Sequence, residues 1–361
     1  MGKAVEQVKE ASPGDLPTAG HVGVIGAGAW GTALARHLAN KGLRVIVWAY
    51  EPDVVASING QRENRRFLPG VALPPSLSAT GSLAVAVQDC DWLLFAVPSH
   101  AARPVLQQME PLMARPVPVV SATKGIEEGT LNVMTQVMQE VLPAGMHSKV
   151  AVLSGPSFAA EVSRDQPTAV TLACSDDRVC RFLQASLVTP LFRVYAGRDV
   201  LGVQLGGALK NVIALAAGIV DGLGLGHNAR AALITRGLAE MNRLGTAMGA
   251  DPRTFYGLSG IGDLVLTCTG ALSRNHQVGV RLGRGERLDV ILKDMQAVAE
   301  GVRTSQAALG LAERHGVNMP IVREVCAVLF ENKSCARAVT DLMERAAKGE
   351  TEASPPAGER S

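Results

Sequence analysis

The chain has 361 residues, of which 47% are hydrophobic and 19% are charged, and its formal net charge is +2. This composition excludes an intrinsically disordered chain, and the small net charge excludes the basic excess that nucleic-acid binding requires. The length predicts two domains, because one domain usually contains roughly 100–200 residues.

The two ends of the chain differ in composition from the rest. Residues 1–20 are polar and lack the apolar stretch of a signal peptide, and residues 346–361 form a second polar tail. Both segments are expected to be disordered. The six cysteines include no CxxC pair and are expected to be reduced residues of a cytoplasmic protein.

The first half of the chain alternates between short apolar runs and helix-compatible segments. A helix with one apolar face is predicted at 30–43. The alternation predicts an α/β domain of the Rossmann type over residues 21–202, with a parallel sheet. Runs typical of β-strands occupy residues 21–26, 44–49, 91–97, 117–121, 150–154, 169–173 and 192–195.

The second half, residues 203–345, contains no convincing strand pattern and is predicted to be an all-α domain. Gly222 and Gly283 stand at expected ends of helices. The longest apolar stretch, 203–220, contains Lys210 and Asn211, and we expect a buried helix there and no membrane span. Helical patterns occupy residues 205–220, 229–245, 275–282, 304–315 and 321–330.

A glycine motif, GAGAWG at 26–31, directly follows the first predicted strand and opens the first predicted helix. Gly26 permits a tight turn, Gly28 allows the backbone to approach a pyrophosphate, and Gly31 allows close helix–strand packing. The pyrophosphate would lie at the positive end of the helix. The motif in this context predicts a dinucleotide cofactor, NAD or NADP.

The choice between NAD and NADP remains open. An acid at the end of the second strand usually binds the ribose 2′-hydroxyl of NAD, whereas an arginine accepts the 2′-phosphate of NADP. The second strand ends in WAYE (48–51), so Glu51 lies slightly late for the first role. Arginines occur only further on, at Arg62, Arg65 and Arg66. Glu51 could equally be a solvated acid at the start of a helix.

Further segments occur in a fixed order from about residue 22 to 342. They are SATKG (121–125), SGPSFA (154–159), GGALKN (206–211), NARAAL (228–233), GIGDL (260–264), TCT (267–269), SRN (273–275) and EGVR (300–303). Together with the glycine motif, this set resembles the bacterial-type NAD(P)-dependent glycerol-3-phosphate dehydrogenases. The resemblance implies hydride transfer between dihydroxyacetone phosphate and sn-glycerol 3-phosphate, which supplies phospholipid synthesis. It also implies a homodimer formed through the helical domain.

The resemblance implies that Lys210 is the proton-transfer residue, with Lys124 and Asp263 beside it. An ammonium group in an apolar helix has a lowered pKa, which suits proton transfer. The residues alone leave simpler alternatives. Lys210 could extend its charge to the surface, Lys124 could be a solvated loop residue, and Asp263 could cap a helix.

The resemblance also assigns the remaining contacts. Ser273 and Asn275 can cap a helix whose N–H groups attract an anion, and Arg274 has paired donors that match a phosphate. Ala29 stands where many family members have serine, which puts one cofactor hydrogen bond in doubt. The substrate residues are Lys124, Gly155, Ser157, Lys210, Asn211, Asp263, Thr267, Ser273, Arg274 and Asn275. The cofactor residues are Gly26, Gly28, Ala29, Trp30, Gly31, Tyr50, Lys124, Ala159, Arg274, Val298 and Glu300.

The sequence leaves two alternative functions open. One is another two-domain Rossmann dehydrogenase that acts on a hydroxy acid or an acyl-thioester, although such an enzyme is not expected to carry GGALKN, SGIGDL and SRN together. The other is a non-catalytic dinucleotide sensor, which has no need of a tuned lysine. No spacing of His, Cys and Asp residues indicates a metal site, and hydride transfer needs no metal.

Overall fold

The structure is a computed structural model that describes residues 20–295, 299–346 and 349. The predicted cofactor residue Val298 lies outside the described residues. So do the two predicted polar extensions, 1–20 and 346–361, apart from residues 20, 346 and 349.

Eight strands form one sheet in the order β3-β2-β1-β4-β5-β6-β7-β8. All of the predicted strands are present, with ends that differ by a few residues. β3 is absent from the predicted set, because its inward-facing residues are only Leu77 and Ala79. The strands are β1 (His21–Ile25), β2 (Arg44–Trp48), β3 (Leu77–Thr80), β4 (Trp92–Phe95), β5 (Val119–Ser121), β6 (Val150–Ser154), β7 (Thr168–Cys174) and β8 (Phe192–Gly197).

Seven α-helices connect the strands, and the described residues after β8 fold mainly into helices. Between residues 203 and 345 the described part of the chain contains no strand, as predicted. The connecting helices are α1 (Ala29–Asn40), α2 (Pro52–Gln61), α3 (Leu83–Val87), α4 (Ser99–Met109), α5 (Met134–Val141), α6 (Ala159–Val162) and α7 (Asp177–Leu187). The later helices are α8 (Val200–Gly222), α9 (Gly226–Ala247), α10 (Asp263–Thr269), α11 (Arg274–Gly283), α12 (Leu288–Asp294), α13 (Glu300–Arg314), α14 (Pro320–Phe330) and α15 (Cys335–Met343). Short 3₁₀ segments occupy Glu110–Leu112, Ala144–Lys149 and Pro252–Tyr256, and a π-helical turn occupies Leu258–Gly262.

The sheet is parallel, as predicted, except at one pair of strands. β6 and β7 are antiparallel, with Ser154 opposite Thr171, whereas every other neighbouring pair is parallel. A parallel connection usually needs a helix long enough to return along the sheet. The connection between these strands, residues 155–167, contains only the four-residue helix α6, which is too short to return the chain along the sheet, and β7 runs antiparallel.

α8 is the central helix of the second half. Its middle, from Gly202 to Val220, is buried throughout, which confirms the predicted buried helix. By length and composition this helix could span a membrane, but its most apolar stretch lies entirely inside the protein. The predicted domain boundary, between residues 202 and 203, falls in the first turn of α8 and stays a prediction. The loop after β5 crosses this boundary, because Ile126 and Val133 pack into the helical core.

α8 and α11 touch through their backbones. A methyl group at Gly218 would lie 2.1 Å from the carbonyl oxygen of His276, and one at Gly279 would lie 2.1 Å from that of Leu215. Gly222 and Gly283, placed at helix ends by the sequence, make a second close contact of the same kind. Only glycine permits such an approach. The contact holds the start of α11 beside the middle of α8, where Lys210 lies.

Candidate active site

The glycine motif forms the turn between β1 and α1. Gly26 has a φ of +112°, and a methyl group there would lie 2.6 Å from the carbonyl oxygen of Ala96. A methyl group at Gly31 would lie 2.0 Å from the carbonyl oxygen of Gly26. Gly28 faces open space, and no side chain caps the start of α1. This geometry fits a dinucleotide whose pyrophosphate lies at the start of the helix.

Two aromatic residues lie beside this turn. The indole nitrogen Nε1 of Trp30 is buried and has no hydrogen-bond partner among the described residues. A buried donor without a partner is uncommon and is consistent with an acceptor supplied by a ligand. Tyr50, just after β2, has 82% of its surface exposed. Ala29 begins α1 and Ala159 begins α6, which packs against α1, so both predicted cofactor residues lie near the same turn.

The structure brings Lys210, Asp263 and Lys124 into one cluster. The ammonium nitrogen of Lys124 donates to Oδ2 of Asp263 at 2.8 Å, and that of Lys210 donates to Oδ1. Lys210 also donates to Oγ1 of Thr267 at 2.9 Å. The three charged side chains come from the loop after β5, the middle of α8 and the first residue of α10.

Burial and charge shift the protonation of this cluster. Burial lowers the pKa of Lys210 to about 7, with Lys124 adding to the shift and Asp263 opposing it. Burial alone would raise the pKa of Asp263, but the charges of Lys124 and Lys210 lower it overall. One carboxylate therefore faces two amines and compensates the charge of only one of them. Lys210, 6% exposed, is the deeply buried amine that gives up its proton readily.

Asp263 does not cap a helix, so that alternative is wrong for this residue. The capping position of α10 is Gly262, and Asp263 is the first helical residue, 1% exposed. The snorkelling alternative for Lys210 is wrong for the same physical reason, because its ammonium group is buried and paired. Lys124 is likewise paired and not simply solvated.

Polar groups surround the cluster at the end of β6 and in α10. Lys124 Nζ also donates to the carbonyl oxygen of Gly155 at 3.3 Å, and the hydroxyl of Ser157 donates to the same oxygen at 2.8 Å. Thr267 donates to the carbonyl oxygen of Asp263 at 2.6 Å. The predicted residues Gly155, Ser157 and Thr267 therefore lie within one or two hydrogen bonds of Lys124 and Lys210.

The start of α11 carries the SRN segment. Ser273 caps the helix, because its Oγ accepts from the backbone N–H of His276 at 3.2 Å. Asn275 does not cap it. Its amide donates to Oδ1 of Asn211 at 3.0 Å and accepts from the N–H of Gly301 at 2.9 Å. Arg274 keeps an exposed surface. Nearby protein atoms nevertheless displace water and lower its pKa, and Glu300 opposes this shift.

Glu300 makes a contact that the sequence does not predict. Its carboxylate accepts from the hydroxyl of Ser99 at 2.6 Å and from the N–H of Ser99 at 3.2 Å. The first residue of α13 is thereby attached to the first residue of α4. The position of Ser99 after β4 was a usable signal, because ligands in such sheets bind beyond the carboxyl ends of strands.

Ser154 is a second residue that the sequence analysis missed. Its hydroxyl is buried and has no hydrogen-bond partner within the described part of the chain. A methyl group at Gly207 would lie 2.5 Å from that hydroxyl and 3.6 Å from Cγ of Lys124. The last residue of β6 therefore lies against α8 beside the lysine cluster.

The glycine turn, the ends of β4, β5 and β6, and the buried lysine cluster lie along the same edge of the sheet. A glycine turn that fits a dinucleotide, next to a buried lysine whose pKa lies near neutrality, is typical of the class of NAD(P)-dependent dehydrogenases. None of the described residues groups three or more His, Cys, Asp or Glu side chains in a way that could hold a metal ion.

Comparison with known proteins identifies the family. Residues 21–180 match the family described as "NAD-dependent glycerol-3-phosphate dehydrogenase N-terminus", and residues 199–340 match the family that describes the C-terminus of the same enzyme. A glycerol-3-phosphate dehydrogenase (NAD(P)+) of Geobacter metallireducens is 56% identical over 329 residues, which are 91% of this chain and 98% of the relative. The chain belongs to the NAD-dependent glycerol-3-phosphate dehydrogenase family.

Solved structures agree with this assignment. A glycerol-3-phosphate dehydrogenase of Coxiella burnetii superposes with a TM-score of 0.87 at 39% identity, covering 91% of this chain and 100% of that one. A D-mandelate dehydrogenase reaches a TM-score of 0.58 at 13% identity, covering 88% of this chain and 99% of that one, which shows a shared fold alone. The comparisons therefore favour a glycerol-3-phosphate dehydrogenase over a dehydrogenase of hydroxy acids.

Proposed function

We propose that this chain interconverts dihydroxyacetone phosphate and sn-glycerol 3-phosphate with NAD or NADP. The observation that carries the proposal is the buried Lys210–Asp263–Lys124 cluster at the edge of the sheet that holds the glycine turn. In the direction of reduction, the product would supply phospholipid synthesis.

Lys210 is the proton donor and acceptor in this proposal. When bound, the nicotinamide supplies or accepts the hydride. Lys210 Nζ gives a proton to the C2 oxygen of dihydroxyacetone phosphate in reduction and takes it back in oxidation. Its pKa of about 7 allows both forms of the amine at neutral pH. Asp263 orients the amine, and Thr267 accepts one of its hydrogen bonds.

The phosphate of the substrate is assigned to the start of α11. The helix has ten residues, and its first N–H groups point toward the end that Ser273 caps. Arg274 supplies charge and paired donors for phosphate oxygens. Asn211 and Asn275, joined at 3.0 Å, together with Lys124, Gly155 and Ser157, complete the proposed substrate site.

The cofactor is assigned to the glycine turn and its neighbours. Gly26, Gly28 and Gly31 shape the backbone, and Ala29 contributes only its N–H because it has no hydroxyl. The further residues proposed to contact the cofactor are Trp30, Tyr50, Lys124, Ala159, Arg274, Val298 and Glu300.

A turnover assay tests the proposal. The absorbance of NADH and of NADPH would be followed separately with dihydroxyacetone phosphate, and then with a panel of 2-oxo acids. We expect turnover of dihydroxyacetone phosphate and at most traces with the panel. Turnover of a 2-oxo acid alone would support the hydroxy-acid alternative. Cofactor binding without any turnover would support the sensor.

The remaining assignments are also proposals. We assign residues 21–202 to a dinucleotide-binding domain and 203–345 to a substrate domain, in a cytoplasmic homodimer. The homodimer rests on the family resemblance. Light scattering of the purified chain would decide this, since a monomeric mass refutes the dimer. Turnover that survives removal of divalent metals by a chelator would support catalysis without a metal.

A further inference from the structure

The end of β2 lies directly against the glycine turn. The N–H of Gly26 donates to the carbonyl oxygen of Trp48 at 3.1 Å, and the chain continues from there into Glu51. The segment after α2 returns to the same place, because Asn64 Nδ2 donates to the carbonyl oxygen of Ala27 at 2.8 Å. Charged residues from 51 to 66 therefore border the position of the ribose in a dinucleotide bound at this turn.

The charged groups in this region are not equally available to contact the ribose of a bound dinucleotide. Arg66 pairs with Asp53 at 3.3 Å, Arg65 pairs with Glu63 at 3.4 Å, and Arg62 donates to the carbonyl oxygen of Pro74. Glu51 is partly exposed, and within the described ranges its carboxylate has no hydrogen bond or ion pair. It accepts no capping bond from α2 either, although it occupies the capping position. The available group at the end of β2 is therefore an acid.

We propose that Glu51 selects NADH over NADPH. Its carboxylate is positioned to accept a hydrogen bond from a ribose 2′-hydroxyl. A 2′-phosphate would instead bring roughly two negative charges next to Glu51, whose charge has no partner among the described residues. Arg66 does not offset this, because Asp53 already compensates its charge. The inference rests on the proposed function only in requiring that the glycine turn holds a dinucleotide.

The test is a binding titration without substrate. The purified full-length chain is titrated with NADH and with NADPH, and each Kd is obtained from the fluorescence of the reduced nicotinamide. We expect NADH to bind at least about tenfold more tightly, the range that one charged hydrogen bond provides. The variant Glu51→Gln should bring the two Kd values to within about threefold of each other.

Two further variants sharpen the test. Asp53→Asn releases Arg66 and should tighten NADPH binding while leaving NADH binding nearly unchanged. Glu110→Gln is the matched control, since it removes the same charge from another partly exposed glutamate of the sheet domain. It should leave the ratio of Kd values as in the wild type.

Two results would overturn the inference: wild-type binding of NADPH as tight as that of NADH, or an unchanged ratio in Glu51→Gln. The titration contains no dihydroxyacetone phosphate. A chain that binds NADH selectively but turns over no substrate would therefore contradict the proposed function and leave the role of Glu51 standing.

Discussion

Glu240 is a buried acid outside the active site, and its ionisation should make the stability of the protein depend on pH. It lies in α9, and its carboxylate accepts from the N–H groups of Ile321 at 2.8 Å and Val322 at 3.3 Å at the start of α14. Burial raises the pKa of Glu240 from 4.5 to about 7, against the lowering effect of these bonds and of Arg243. The folded protein therefore holds a proton here that the unfolded chain has already lost.

The sign of the effect follows from this difference in bound protons. The stabilisation of the folded protein by the raised pKa of Glu240 is fully present below pH 4.5 and is lost as the pH rises through about 7. Between pH 5.5 and 8.5 the loss is about 2 kcal/mol, on the scale of 1.36 kcal/mol per pKa unit. Glu240→Gln removes the titration, so the free energy of unfolding of the wild type should fall by that amount relative to the variant.

Urea unfolding at several pH values from 5.5 to 8.5 would measure this difference. Glu240→Gln also changes one acceptor into a donor, which adds a constant offset but no slope with pH. The control is Glu110→Gln, at a partly exposed glutamate, whose stability curve should run parallel to that of the wild type. Parallel curves for Glu240→Gln and the wild type would refute the assigned ionisation.

Three further predictions concern the active site and its support. Arg274→Ala should raise the KM for dihydroxyacetone phosphate about 10- to 100-fold, because hydrogen bonds to charged groups contribute roughly 1.5–3 kcal/mol; an unchanged KM in steady-state kinetics would place the phosphate elsewhere. Gly218→Ala should destabilise the protein by about 1–3 kcal/mol in urea unfolding, because its methyl group meets the carbonyl oxygen of His276 at 2.1 Å. Gly60→Ala, on α2 in open space, should not destabilise the protein. Equal stability of the two variants would contradict the close contact between α8 and α11. The kcat of reduction should fall, and the kcat of oxidation should rise, as the pH increases through about 7, the pKa of Lys210. Values of kcat that do not change with pH would argue against proton transfer by this amine.

Much of the fold was predictable because its signals are local. The apolar runs, the glycine motif and the periodic helices are patterns of neighbouring residues, and the structure contains each of them. The direction of β7 was not predictable in this way. It depends on how far α6 carries the chain, and a four-residue helix leaves no clear periodicity.

The site was predictable only in part. Its proposed catalytic side chains, Lys124, Lys210 and Asp263, come from distant segments, and the residues alone do not say that these segments meet. The family resemblance grouped them, and the hydrogen bonds of the structure join them. The bond between Ser99 and Glu300 spans 201 positions in the chain, and the position of Ser99 after β4 does not indicate which residue it contacts. The glycine contact between α8 and α11 likewise becomes visible only when both helices are placed.

The central claim is that the buried amine of Lys210 transfers the proton. Comparing Lys210→Met with the wild type in the rate of dihydroxyacetone phosphate reduction, with the Kd for NADH measured on the same preparations, tests it most directly. We predict a rate about 100- to 10,000-fold lower and an unchanged Kd. A variant that reduces the substrate at near the wild-type rate would contradict the claim.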